Sequence, residues 1–205
     1  MAKVIHYYAH PGHRFSHTNK AMWDASQPVE GVTRVDLYAE YPRHNVNIDR
    51  EQRRLIDHDV VLFQFPVFWY SAPSLLKEWI DLTLEHGFAY GKDGDKLCGK
   101  WMMLAVTAAG PQDAYSEGGY QHFPLRTFLT PFEQTARLCK MRFAAPYVFY
   151  DALRADPAAH AQGFADLLSG LRDDRIDLDK AEAEGCLYHD SIASVSRRPE
   201  GSPAQ

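Results

Sequence analysis

The run VVLFQFP, residues 60–66, constrains the fold more than any other stretch of this chain. It reads as a strand apolar on both faces, and such a strand has to be covered on both sides. Pro66 ends it, since proline has no N–H to continue a ladder. Sheets buried on both faces are built from parallel strands joined by helical crossovers, and the flanking sequence supplies both kinds of segment. Lys3 to Ala9 (KVIHYYA) is a short central strand that stops at His-Pro-Gly. NKAMWDAS then runs as a helix from Ser16 or Thr18, a hydroxyl residue suited to cap it, with Pro28 beyond its end. Gly31 precedes a second strand, VTRVDLY, and Asp49 opens the helix DREQRRLIDH with Leu55 and Ile56 on its apolar side. After Pro66, SAPSLLKEWIDLTL restarts as a helix at Ser71 or Pro73, with Leu75, Leu76, Trp79, Ile80 and Leu84 on one face. KWMMLAVTAAG (100–110) is another fully buried strand. A helix from about Pro124 to Cys139 leads to the fifth strand, PYVFYDA, and Pro157 to about Asp173 is helical.

This alternation predicts an α/β fold with an open parallel five-stranded sheet and helices on both faces. A length of 205 residues with 45% hydrophobic content suits one core. The expected division is a single domain over residues 1–185 and a loose polar tail over 186–205, ending in SIASVSRRPEGSPAQ. Lysine and arginine total 22 against 27 acidic residues, for a net charge of -5, and no basic block offers nucleic acid a surface. No stretch approaches 18 apolar residues and the N-terminus lacks a signal-like apolar region, so a soluble cytoplasmic protein is expected. Cys98, Cys139 and Cys186 are odd in number and form no CxxC, which fits reduced, mostly buried thiols.

In such a sheet, ligands lie beyond the carboxyl ends of the strands, which singles out three loops. The first, HYYAHPGHRFSHTN, holds His6, His10, His13 and His17 and feeds a helix N-terminus, where unpaired N–H groups favour an anion. Ser16, Thr18 and Asn19 add hydroxyl and amide donors, and His10 and His17 add ring donors. Neither GxGxxG nor GxxxxGK[ST] occurs, so a phosphate monoester fits better than a dinucleotide or triphosphate. No carboxylate accompanies the histidines and no HExxH occurs, so no metal is expected. The competing reading of Ser16 to Asn19 is an ordinary helix cap. In the second loop, PVFWYSAP, Phe68, Trp69 and Tyr70 follow one another where turn residues would be usual, which suits a flat ligand as well as packing under a loop. Phe88 and Tyr90 could reach the same pocket or a partner subunit. In the third, TAAGPQDAYSEGGYQH, Thr107, Ala108, Ala109 and Gly110 permit close backbone approach, and Tyr115, Tyr120 and His122 are candidate proton donors, Tyr120 reading rather as a surface residue.

Three features resemble the flavodoxin-like NAD(P)H:quinone oxidoreductases over roughly residues 3–150: HPxxxxSHTN, FQFPVFWYSAPSLLKEWIDLTLEHGFAYG, and TAAG with a tyrosine five residues on. The likeness extends to short bacterial members, including the ancillary quinone reductases of glutathione-gated potassium efflux systems. The resemblance implies a flavin whose phosphate and ribityl chain are held by His10, Ser16, His17, Thr18 and Asn19. Its ring would lie against Pro66, Val67, Phe68, Trp69 and Tyr70 and meet the backbone of Thr107 to Gly110. It further implies Tyr115 and His122 as catalytic residues, with Phe88, Tyr90 and Tyr120 around the substrate, in a homodimer. NAD(P)H would be the electron donor and a quinone the acceptor, in ping-pong turnover; the alternative role is a redox-sensing ancillary subunit that binds and regulates a potassium efflux transporter. Two departures stand out: the family's TTGG is TAAG here, and His122 lies seven residues after Tyr115 instead of six. The region from Leu37 through YAEYPRHNVNIDREQ is short compared with the longer animal members, which favours FMN, with FAD second.

Overall fold

The computed structural model describes residues 1–197. Its strands are β1 (Val4–Tyr8), β2 (Val32–Asp36), β3 (Val60–Pro66), β4 (Trp101–Thr107), β5 (Arg142–Phe143) and β6 (Tyr147–Phe149). All pairings are parallel, in the order β2-β1-β3-β4-β5, and β6 also pairs with β4. The fifth position of the sheet is therefore one edge broken in two. The interruption falls on Ala144-Ala145-Pro146, where proline cannot donate to the ladder.

The helices are α1 (Thr18–Ser26), α2 (Leu37–Glu40), α3 (Ile48–Asp57), α4 (Ser74–Thr83), α5 (Leu125–Phe128), α6 (Thr130–Leu138), α7 (Ala158–Arg172) and α8 (Leu178–Ala183). Two differ from the expected pattern. The second strand stops at Asp36 because its carboxylate accepts the Tyr38 and Ala39 N–H groups and turns the chain into α2. The helix expected from Pro124 to Cys139 is split, since Pro131 starts a new helix in its first turn and leaves Leu129 between the two.

Alternation along the strands divides the core. Ile5, Tyr7, Val61, Phe63, Phe65, Leu104 and Val106 face one layer with Leu75, Leu76 and Trp79 of α4 and Phe132 of α6. Val4, Leu62, Met103 and Ala105 face the other, with Met22 of α1 and Phe164, Leu167 and Leu168 of α7. The latter layer also buries three polar strand residues, His6, Gln64 and Thr107. The β3 run is thus not uniformly apolar.

The expected loose tail is corrected as far as Arg197. Leu187 and Val195 are fully buried and Ile192 nearly so. The Leu187 N–H donates to Pro146 O and its carbonyl accepts from Val148, while Ile176 bridges to Ser196. These apolar side chains cover α7 and the sheet edge. Residues 198–205 of the expected tail lie outside the described residues. Of the thiols, only Cys139 is buried; Cys186 is intermediate and Cys98 exposed.

Candidate functional site

The register sets Tyr8 beside Gln64 and Pro66 beside Thr107, so the loops after β1, β3 and β4 leave the sheet at one level. They enclose a hollow of about 560 Å³ lined by His10 to Gly12, Phe15 to Asn19, Pro66 to Phe68, Thr107, Ala109, Ala152 and Leu153. That volume is in the range of small-molecule sites. A second hollow of similar volume lies at the opposite ends of the strands, where Arg142 is paired with Asp179 and Glu182 and Arg197 with Asp174. Its arginines are satisfied within the protein.

In the first loop, Ser16 Oγ accepts the Asn19 N–H at 3.2 Å. The serine, one residue before the N-cap, takes one first-turn N–H of α1 and still has its hydroxyl proton to donate, so cap and ligand readings are compatible. His17 is exposed at the N-cap position, beside the first-turn N–H groups that Ser16 does not take. The His10 ring Nδ1 accepts the Gly12 N–H at 3.0 Å, which places its proton on Nε2. Burial, then the neighbouring His13, lowers the His10 pKa, so near neutral pH the ring is an uncharged donor. His13 is itself tied to the Tyr8 hydroxyl at 2.8 Å. Thr18 Oγ1 donates to Ala152 O at 2.9 Å, so its proton is committed to holding α1 against the loop after β6. Asn19 is buried and its side-chain amide donates to Thr107 Oγ1 at 2.7 Å. It acts on the hollow through that threonine.

The second loop is a two-residue hairpin. Phe68 and Ser71 exchange backbone hydrogen bonds of 2.9 and 3.0 Å, while Trp69 and Tyr70 between them have φ of 47° and 65°. Positive φ at both central residues is the requirement of a type I′ turn, usually met by Asn-Gly. Phe68 lines the hollow with its ring edge-on to His10 at 5.8 Å. Trp69 does not line it and is 93% exposed, and Tyr70 turns to Phe128 at 4.9 Å.

The third loop contributes Thr107 and Ala109. Ala108 is buried, with its N–H donating to Phe149 O and its carbonyl accepting from Ala152. The expected backbone approach at Ala108 is therefore corrected: β6 and the loop after it use both groups. Gly110 does not line the hollow, and its carbonyl accepts from Asp151. Tyr115 is half-buried in an aromatic group with Tyr150 at 5.6 Å and Phe128 at 6.3 Å. Burial, followed by Tyr120 and Tyr70, raises its pKa, keeping the phenol protonated as a donor. His122 is exposed in a left-handed conformation, φ 63°, and Tyr120 is 65% exposed beside a shallow hollow within its own loop. Neither lines the larger hollow. Phe88 and Tyr90 do not line it either, because they pack against the core layer of α4 and α6.

Sequence reasoning missed Phe15, Ala152 and Leu153 as lining residues. It named His6 with the first loop but missed Gln64 and the 2.9 Å hydrogen bond between the two side chains beneath the site. The available signal was a polar residue within each of two otherwise apolar strands. Among the described residues, no group of three or more His, Cys, Asp or Glu is disposed to hold a metal.

A family described as having a flavodoxin-like fold matches residues 2–171. The chain belongs to this flavodoxin-like family. The glutathione-regulated potassium-efflux system ancillary protein KefG of Yersinia enterocolitica is 42% identical over 169 residues, spanning 81% of this chain and 92% of that protein. The general stress protein 14 of Treponema denticola, solved with FMN, is 33% identical with a TM-score of 0.78, covering 82% of this chain and 99% of that one. An NADPH-quinone reductase from P. pentosaceus is 27% identical with a TM-score of 0.72, covering 82% and 96%. A protein named a thermophilic tryptophan halogenase, from Streptomycin violaceusniger, is 38% identical with a TM-score of 0.77, covering 80% and 96%. Among the described residues, no helix is long and apolar enough to cross a membrane.

Proposed function

We propose that the protein is an FMN-dependent NAD(P)H:quinone oxidoreductase. The observation that carries this reading is the hollow itself, which joins a donor-rich helix N-terminus to an aromatic wall at the carboxyl ends of a flavodoxin-like sheet. The donor set fits a phosphate monoester with a polar chain: Ser16, the first-turn N–H groups of α1 and the Nε2–H of His10 at one end, Thr107 at the floor. Pro66, Val67 and Phe68 offer an apolar flank for a flat ring, with Ala109 opposite in the lining. The FMN of the Treponema neighbour supports FMN over FAD.

A bound flavin would supply two-electron hydride chemistry, taken from NAD(P)H and passed to a quinone in ping-pong fashion. The protein's own part is binding and proton supply. Tyr115, held protonated by burial, is the group assigned to donate toward the acceptor oxygen. Exposed His122 is assigned the proton relay, a role that requires its loop to close when substrate binds. Phe88 and Tyr90, absent from this chain's own hollow, are assigned to the pocket of a second copy in a homodimer.

A second reading is favoured by the KefG relatives: an ancillary subunit in the cytoplasm that contacts a potassium-efflux transporter. Both roles are compatible with one flavin site. The halogenase name is carried by no feature of the hollow beyond the shared fold.

The test is reconstitution with equimolar FMN and FAD, removal of excess, and mass spectrometry of what remains, followed by NAD(P)H-dependent quinone reduction. Retained FMN and turnover support the reading. Retained FAD corrects the cofactor, and retention of neither refutes the flavoenzyme assignment.

A further inference from the structure

Four polar side chains form an unbroken line under the hollow. His6 Nε2 and Gln64 Oε1 are 2.9 Å apart. Gln64 Nε2 donates to the Asn19 carbonyl at 2.9 Å and approaches Asn19 Oδ1 at 3.3 Å. Asn19 Nδ2 donates to Thr107 Oγ1 at 2.7 Å. All four residues are at most 3% exposed, yet Thr107 still lines the hollow.

The direction of this line is forced. A backbone carbonyl only accepts, so the Gln64 end facing Asn19 O must be the NH₂ group. Its oxygen then faces His6, which must donate from Nε2, and the other ring nitrogen, Nδ1, is left without a partner. The same NH₂ group attracts Asn19 Oδ1, which turns the Asn19 NH₂ toward Thr107. Thr107 Oγ1 therefore accepts, and its own proton has no acceptor among the described residues. The hollow is where that proton can go.

We propose that Gln64 is a positioning residue which, through Asn19, fixes the Thr107 hydroxyl as a hydrogen-bond donor into the ligand site. This assignment rests on the flavin reading above and adds that the ligand places an acceptor atom over Thr107. Thr107 is the binding contact; Gln64 lies behind it, and Asn19, which also borders the hollow, has its amide turned to Thr107. The line also couples the loops after β1, β3 and β4 to a single hydrogen-bond polarity.

The experiment is a double-mutant cycle on FMN affinity, read by flavin fluorescence in the folded full chain. Thr107→Val removes the donor and keeps the shape, and is expected to weaken FMN about tenfold, the scale of one hydrogen bond. Thr107→Ser is expected to retain wild-type affinity. Gln64→Met is expected to weaken FMN several-fold in the Thr107 background and to have no further effect in the Thr107→Val background. Gln64→Leu, which likewise removes both the donor and the acceptor, serves as the second variant should the methionine fail to fold. Independent, additive losses overturn the proposal, as does failure of serine to rescue. Wild-type protein that binds no flavin overturns the cofactor reading and this assignment with it, whereas additive losses around a bound FMN overturn the assignment alone.

Discussion

Replacing Trp69 by asparagine is expected to make the protein more stable and a poorer flavoprotein. Trp69 is the first central residue of the turn between Phe68 and Ser71, with φ of 47°. A left-handed backbone costs an ordinary residue roughly 1–2 kcal/mol, and asparagine tolerates it far better. The indole is 93% exposed, so its removal forfeits little burial. The net expectation is about 1 kcal/mol of added stability, a rise of about 2–4 °C in Tm for a chain of this size. Strain of this kind persists where another requirement overrides it; since the indole lies outside the hollow, the flavin reading assigns it to closing over the ring once the ligand is bound. Thermal and urea unfolding without ligand measure the first effect; FMN affinity and quinone turnover measure the second. An apo Tm at or below wild type refutes the strain argument. A raised Tm with affinity and turnover intact refutes the functional reason for the strain.

Tyr115→Phe is expected to slow the acceptor half-reaction roughly tenfold or more while FMN stays bound, as stopped-flow reoxidation would register; unchanged reoxidation removes Tyr115 from the mechanism. His160 is buried, stacked on Tyr147 at 4.1 Å, and its pKa is lowered from 6.5 to about 3, first by burial and then by His189. The unfolded chain therefore takes up this proton first, so the stability it contributes is full above pH 6.5 and is lost as pH falls toward 3, at about 1.4 kcal/mol per pH unit. His160→Phe keeps the stack and is expected to flatten the stability profile between pH 6 and pH 4 by about that slope; parallel profiles would contradict the assignment. At Gly163 in α7, an added Cβ would sit 2.7 Å from the Tyr147 hydroxyl and 2.8 Å from His189 Cβ. Gly163→Ala is accordingly expected to lower stability by about 1–3 kcal/mol despite the better helix propensity of alanine, measurable by urea unfolding.

What could be read from the sequence follows the range of the interaction that decides it. Helix α7 lies within one residue of its expected limits because its own apolar pattern and flanking Pro157 specify it. The break before α6 was written in Pro131 and the end of β2 in Asp36, both local signals outweighed by a longer hydrophobic pattern. The segment from Leu187 to Val195 looked polar because its few apolar residues show no period, and only the sheet edge and α7 give them a partner surface. The loops of the site were recognised, but not which of their groups face the ligand. Thr18 is spent on Ala152, 134 residues away, and Asn19 on Thr107, 88 residues away. Composition cannot assign a hydrogen bond across such distances. A glutamine in the middle of β3 nevertheless carries information of a definite kind. An amide buried without partners is unfavourable by several kcal/mol, so Gln64 requires both a donor and an acceptor from neighbouring elements. The adjacent strand offers His6, the only polar side chain in the otherwise apolar or aromatic run Val4 to Ala9 apart from the tyrosine hydroxyls. The remaining partner must come from the helix packed over that face, and α1 begins with Asn19 in its first turn. The buried amide thus ties the core to the floor of the site.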